Sequence, residues 1–247
     1  MRISVIIPSR LQMNPVGPQR ALFLERAVDS VRRQTVRPKV ELEIVVGLDP
    51  GVRPPEAFAG VSWVNAAAPS QAEAVNAAVA ASSGEMLAFL EDDDYWMPRR
   101  LEYGLICLNR CDLATSNQQE VTPEGEGVGV FDFATPSGWL LRRAIWDRLG
   151  PFDTAIRFHV DNEFLGRVNR AGLDRIHLVE AAAPDRPGLK IIGQFSRLAK
   201  TLEPTPLVVR TVNPEGGMSQ IERQAQARKQ SQAEHRIFWR RFGNIPW

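Results

Sequence analysis

Four carboxylates stand in a row at Glu91, Asp92, Asp93 and Asp94, inside the stretch FLEDDDYWMPRRLE. Neighbouring anions repel, and a solvated loop is the commonest home for such a charge run. The alternative is compensation by a divalent cation, a hard ion that prefers carboxylate oxygens. An acidic N-terminal cap for a helix starting near Pro98 accounts for one or two acids. It accounts poorly for four.

The elements around the run decide what it can meet. RISVIIP, LEIVVGLD, VSWVN and EMLAFL read as short, buried strands, the first stopped by Pro8 and the last leading straight into the acids. QRALFLERAVDSVRRQ puts Leu22, Ala27, Val28 and Val31 on one helical face. PSQAEAVNAAVAASSG is an alanine-rich helix expected to close at Gly84. This order predicts an α/β fold, a mainly parallel central sheet flanked by helices. Ligands of such sheets bind beyond the carboxyl ends of the strands. Ser9 and Arg10, Asp49, and the run from Glu91 to Asp94 all fall at such ends.

Further along, MPRRLEYGLICLNRC reads as a helix and CDLATSNQQEV as one strand, running to a turn with Pro123, Gly125, Gly127 and Gly129. SGWLLRRAIWDRLGPFD reads as a strand and a short helix, and VDNEFLGRVNRAG as a helix closed by Gly172. A proline-rich wrapping connection is expected over 180–215. The tail, 216–247, reads as one long basic amphipathic helix, docked on its own domain or a dimer mate, or lying on a membrane surface.

The chain has 247 residues, 44% hydrophobic and 24% charged, enough for a packed core. Its formal net charge of +1 gives no global field toward nucleic acid. MRISVIIPSR enters a strand directly and no apolar run reaches membrane-spanning length, so neither a secretory signal nor a span is read. Cys107 and Cys111 lack metal-site spacing and are expected to be reduced thiols. The expected location is cytoplasmic, with a peripheral position at the inner membrane face as the alternative.

Six stretches in order, ISVIIPSR, LERAVDSVRRQT, EIVVGLD, AVNAAVAASSGEMLAFLEDDDYWMPRRLE, GWLLRRAIWDRLGPFD and VDNEFLGRVNRAG, together resemble the family-2 inverting glycosyltransferases of GT-A fold. The resemblance covers roughly residues 1–175. It implies a nucleotide-sugar binding and catalytic domain over 1–179, and sugar transfer from a nucleotide-diphosphate donor, a UDP-sugar by preference, to a hydroxyl. That hydroxyl would belong to a glycan, a lipid-linked sugar or a small molecule. By this likeness Glu91, Asp92 and Asp93 overlie the Asp-x-Asp site, with Asp93 and Glu91 holding Mg2+ or Mn2+ and Asp92 facing the donor. Asp161 takes the general base position, while Glu163 and Arg167 serve as support or as an ordinary i,i+4 pair. Pro8, Ser9, Arg10 and Asp49 would face the nucleotide, and Asn76 would be a nucleotide-sugar ligand or a helix-surface amide. Gly138 and Trp139 would face the sugar and acceptor, with a core position as the alternative for Trp139. The chain departs from the pattern at Val75, where the family has arginine, and at Asp49, displaced from its usual place. Asn213 or Val212 stands where many relatives carry a histidine. A nucleotidyltransferase on a similar sheet would want a glycine-rich loop where PSRLQMNPVGPQR has only Gly17. A non-catalytic nucleotide-sugar binder is the other alternative.

Overall fold

A computed structural model describes residues 1–15, 22–36, 40–131, 133–181, 188–192 and 206–246. The chain opens with β1 (Arg2–Ser9), α1 (Phe23–Arg32), β2 (Glu41–Leu48), β3 (Val61–Asn65), α2 (Gln71–Ala81) and β4 (Met86–Phe89). There follow β5 (Tyr95–Trp96), α3 (Arg100–Leu108), β6 (Leu113–Ser116), β7 (Gln118–Val121), β8 (Gly127–Phe131), β9 (Leu140–Arg142), α4 (Arg143–Leu149) and α5 (Val160–Arg170). The last elements are β10 (Arg175–Ala181), β11 (Gly188–Ile192), β12 (Val208–Thr211), α6 (Gly217–Arg223) and α7 (Ala225–Phe242).

The main sheet has eight strands in the order β11-β10-β6-β9-β4-β1-β2-β3. Strands β3, β2, β1 and β4 are parallel, as are β6 and β10, while β9 runs antiparallel between β4 and β6 and β11 antiparallel to β10. The mainly parallel sheet read from the sequence is therefore present. A second sheet, β5-β12-β7-β8, stands beside it.

Both faces of the main sheet are covered along β1, β4 and the second half of β2, which is why these strands carry apolar runs. On β1, Val5 and Ile7 join the core beneath α1 and α3, while Ile6 joins the opposite core with Leu87, Phe89, Trp139, Trp146 and Phe164. Each of these β1 side chains is fully buried, a burial that stabilises by about 1.5–3 kcal/mol per large apolar residue. Helix α2 is capped by Ser70, whose hydroxyl accepts the Glu73 N–H at 3.1 Å. Cys107 and Cys111 are buried free thiols, pushed up by burial to about 11 and about 12.

Several local expectations are corrected. Helix α2 ends at Ala81 with Ser82 as its C-cap, so Gly84 does not close it. Gly84 instead passes against β1, where a Cβ would stand 2.5 Å from the Ser4 nitrogen. CDLATSNQQEV is two strands, because the chain changes sheets at Asn117, whose N–H donates to the Leu178 carbonyl at 2.7 Å. The tail helix breaks at Gln224, which is extended (φ −113°, ψ 120°). About half of the expected connection over 180–215 lies outside the described residues, and its described part ends β10 and supplies β11 and β12. Helix α7 docks on its own domain through Phe238 and leaves Lys229, Arg236, Trp239 and Arg240 exposed. No helix among the described residues is long and apolar enough to cross a membrane.

Candidate active site

Parallel register brings the polar strand ends to one edge. Ile6 of β1 pairs with Phe89 of β4, so the residue three places beyond Phe89 draws level with Ser9. That residue is Asp92, and the Ser9 hydroxyl donates to its Oδ2 at 2.5 Å. Ser9 is in turn level with Leu48 of β2, which puts Asp49 just past the same edge. The loop after β1 turns sharply, with Leu11 in left-handed backbone (φ 55°) and its N–H donating to Ser9 Oγ at 2.9 Å. Such a conformation costs a leucine about 1–2 kcal/mol; here the hydrogen bond offsets part of it.

The four acids point different ways. Asp94 turns inward and is fully buried, its Oδ2 accepting from Ser137 Oγ at 2.6 Å and its Oδ1 from the Thr211 N–H at 3.1 Å. Ser137 Oγ also accepts the Glu91 N–H at 3.0 Å, so the run is tied to the turn before β9. The Asp93 carbonyl accepts from Arg26 at 2.7 Å, and its Oδ2 from the Asn213 amide at 3.0 Å. Glu91 Oε1 accepts from the Gln71 amide at 2.6 Å. Neutral amide donors thus hold Glu91 and Asp93, and each carboxylate keeps a second oxygen.

Glu91, Asp92 and Asp93 open into a cavity of about 720 Å³, also lined by Pro8, Ser9, Arg10, Asp49, Asp161 and Arg210. The lining also includes the apolar residues Phe131, Phe133, Phe158, Leu165, Met218 and Ile245. Asp161 sits in the first turn of α5, where backbone N–H groups favour its charge.

Burial opposes ionisation throughout. It pushes Glu91 and Asp92 up to about 7, with the charge of Asp93 adding to both. Asp93 is raised by burial against hydrogen bonding from Asn213 and the charge of Arg210, and Asp94 is raised well above the usual range by burial, Asp93 and Glu91. Asp161 rises to about 6 through burial, opposed by the N–H of Asn162, its own N–H and Arg210. Burial disfavours the charge of Arg210, yet Asp94, Glu91 and Glu120 outweigh it and raise its pKa.

Glu91, Asp93 and Asp94 each offer a carboxylate oxygen, all within 4.8 Å of one another. Asp94 already accepts two hydrogen bonds, so Glu91 and Asp93 are the better donors. Two hard oxygens among buried, mutually repelling carboxylates suit Mg2+ or Mn2+. The donor set fits such an ion.

Three expected residues stand elsewhere. Asn76 is bonded both ways to the Phe152 backbone, its Nδ2 donating to the carbonyl at 2.9 Å and its Oδ1 accepting the N–H at 2.9 Å. It does not line the cavity. Trp139 is fully buried, its indole N–H donating to the Ala134 carbonyl at 2.7 Å and its ring packed on Phe89 and Phe164. It is a core aromatic with no face for a sugar. Gly138 is buried against β6, where a Cβ would meet the Ser116 carbonyl oxygen at 2.9 Å, and its own carbonyl accepts from Arg100. Conversely, Gln71, Ser137 and Arg210 received no role from the sequence, since a lone amide, hydroxyl or arginine carries no pattern. From the sequence, Asn213 stands out only as one of two residues, with Val212, at the place where many relatives carry a histidine.

No protein-family model matches the chain. It is 26% identical over 189 residues to a Bacillus subtilis (strain 168) protein called uncharacterized glycosyltransferase YwdF, the match spanning 66% of this chain and 66%, about two thirds, of that one. Among solved structures, Staphylococcus aureus TarS 1–349 in complex with UDP superposes with a TM-score of 0.58 at 15% identity, covering 98% of this chain and 72% of that chain. The mannosyltransferase PcManGT from Pyrobaculum calidifontis, in complex with GDP-Man and Mn2+, gives 0.54 at 16% identity over 74% of this chain and 57% of its own. The fold is that of the GT-A glycosyltransferases. In this GT-A chain the cavity lies where the strand ends of β1, β2 and β4 converge, the position open α/β sheets use for ligands.

Proposed function

We propose that the chain is a metal-dependent, family-2 type inverting glycosyltransferase that moves a sugar from a nucleotide-diphosphate donor, a UDP-sugar by preference, to an acceptor hydroxyl. The observation that carries this reading is the placement of Asp161 in one cavity with Ser9, Asp49, Glu91, Asp92 and Asp93. Glu91 and Asp93 would hold Mg2+ or Mn2+, which offsets the negative charge gathering on a departing diphosphate. Carboxylates outnumber the cations Arg10 and Arg210 in the lining, so a diphosphate would be repelled there unless a further cation joined it.

The remaining work belongs to the chain itself. Ser9, Arg10 and Asp49 would seat the nucleotide at the strand ends. Asp161 would accept the proton of the acceptor hydroxyl while that oxygen bonds to the anomeric carbon and the bond to the diphosphate oxygen breaks. Attack opposite the leaving group inverts the anomeric centre. A carboxylate raised to about 6 is ionised at neutral pH and more basic than an ordinary aspartate, as a general base requires. The exposed basic face of α7 with Trp239 supports a peripheral contact, with an anionic membrane surface or a second copy of the chain.

Slow donor hydrolysis tests the reading without knowledge of the acceptor. UDP-glucose, UDP-GlcNAc and GDP-mannose are each incubated with protein and Mn2+. Release of nucleoside diphosphate that stops with EDTA supports it. Pyrophosphate released from UTP or GTP with a sugar 1-phosphate, in a parallel incubation, would instead indicate a nucleotidyltransferase, and no release from any donor would indicate a binder.

A further inference from the structure

Behind Asp161, the tail makes contacts that neither the cavity lining nor the acidic run explains. The backbone N–H groups of Arg157, Phe158 and His159, three consecutive residues leading into α5, all donate to one side chain, Glu234 of α7. Arg157 donates to Oε1 at 2.9 Å, and Phe158 and His159 to Oε2 at 3.1 Å each. Glu234 is only 3% exposed, and its other partner is the neutral Gln230 amide at 3.5 Å. A buried carboxylate is costly unless its lone pairs are filled. Successive N–H groups form an anion-binding nest that fills them.

The same segment is held at further points by the tail. His159 Nε2 bonds Ser231 Oγ at 2.7 Å and its ring packs on His235 with centroids 4.4 Å apart. Asn162 donates to the Pro246 carbonyl, and Glu163 meets Arg241 at 3.3 Å. Residues on both sides of Asp161 are thus anchored to the tail, while Asp161 lines the cavity. A tail needing only to be stapled down could use Phe238 and the Arg241 ion pairs. Spending a buried carboxylate on three adjacent N–H groups constrains the chain at the point where it delivers Asp161.

We propose that Glu234 is a positioning residue: its carboxylate, reaching in from the C-terminal helix, fixes the backbone of 157–159 and so sets where Asp161 meets the hydroxyl it deprotonates. The proposal rests on the reading of Asp161 as general base. Removing Glu234 leaves the strand-end residues untouched, so donor binding persists, whereas a displacement of Asp161 by about 1 Å is enough for a roughly 100-fold loss of rate.

The test uses the full-length chain with Mn2+, water as acceptor, and whichever of UDP-glucose, UDP-GlcNAc or GDP-mannose the parent hydrolyses fastest. Glu234→Ala and Glu234→Gln are compared with Asp161→Asn, each confirmed folded by circular dichroism at the assay temperature. The expected result is a kcat lowered about 100-fold in Glu234→Ala and less in Glu234→Gln, which keeps one acceptor oxygen, with donor KM and nucleotide Kd within twofold of the parent. A merely structural role would lower the melting temperature and leave kcat of the folded protein alone. If Glu234→Ala does not fold, Glu234→Gln decides. A folded Glu234→Gln with parental kcat, beside an inactive Asp161→Asn, overturns the proposal alone, and failure of both Glu234 variants to fold overturns it as well. Parental hydrolysis by Asp161→Asn removes the general-base reading and this proposal with it.

Discussion

Asp161 shows how a side chain of ordinary chemistry acquires a particular task from its surroundings. Burial lifts its carboxyl to about 6, and a base must be ionised to accept a proton. Donor hydrolysis is therefore expected to rise with pH through about 6, rather than near the usual aspartate value of about 4. Asp161→Asn should lower kcat by about 10²–10⁴-fold, read as nucleoside diphosphate released per unit time; an unaltered pH profile in that variant would assign the ionisation elsewhere. Asn76 teaches the opposite lesson. Its amide closes a pair of hydrogen bonds with Phe152, so Asn76→Ala should cost about 1–3 kcal/mol of stability by leaving two backbone groups unpaired. Nucleotide affinity should hold, and a calorimetric titration showing a marked loss would restore Asn76 to the site.

At the scale of elements, much was legible because β1, β4 and most of β2 are buried on both faces and so carry apolar runs. β3 falls on the residues read for it, and β1, β2 and β4 differ by a residue or two. The strand-end rule then brought Ser9, Asp49 and the acidic run together, as the register does. What could not be read depends on contacts distant in sequence. Nothing local in LATSNQQEV marks Asn117 as the point where the chain leaves one sheet for the other. β5 has two residues, Tyr95 and Trp96, too few to show a period. Arg210 reaches the acids only because β12 pairs between β5 and β7. Gly84 looked like a helix cap, yet its lack of a side chain admits β1. Gly84→Ala should therefore destabilise by about 1–3 kcal/mol through overpacking, seen as a lower denaturation midpoint; an unchanged midpoint would mean the Ser4 strand yields freely.

For the whole molecule, the acidic site sets stability against binding. Glu91 and Asp92 hold protons in the folded chain up to about pH 7, whereas the unfolded chain loses them near 4. Between those values the folded state binds more protons, so their contribution to stability falls as pH rises and is at its lowest above about 7. A divalent cation binding the ionised acids would reverse that loss. The melting-temperature gain from Mn2+ is accordingly expected to be larger at pH 8 than at pH 5; equal gains would mean the ion binds away from the run. The central claim, that these carboxylates hold an ion which in turn holds the donor's diphosphate, is tested most directly by calorimetric titration of UDP. The titration is run into the parent with Mn2+, into the parent with EDTA, and into Asp93→Asn with Mn2+. The account predicts binding in the first and binding at least about tenfold weaker, about 1.4 kcal/mol, in the other two. Equal affinity in all three would contradict it.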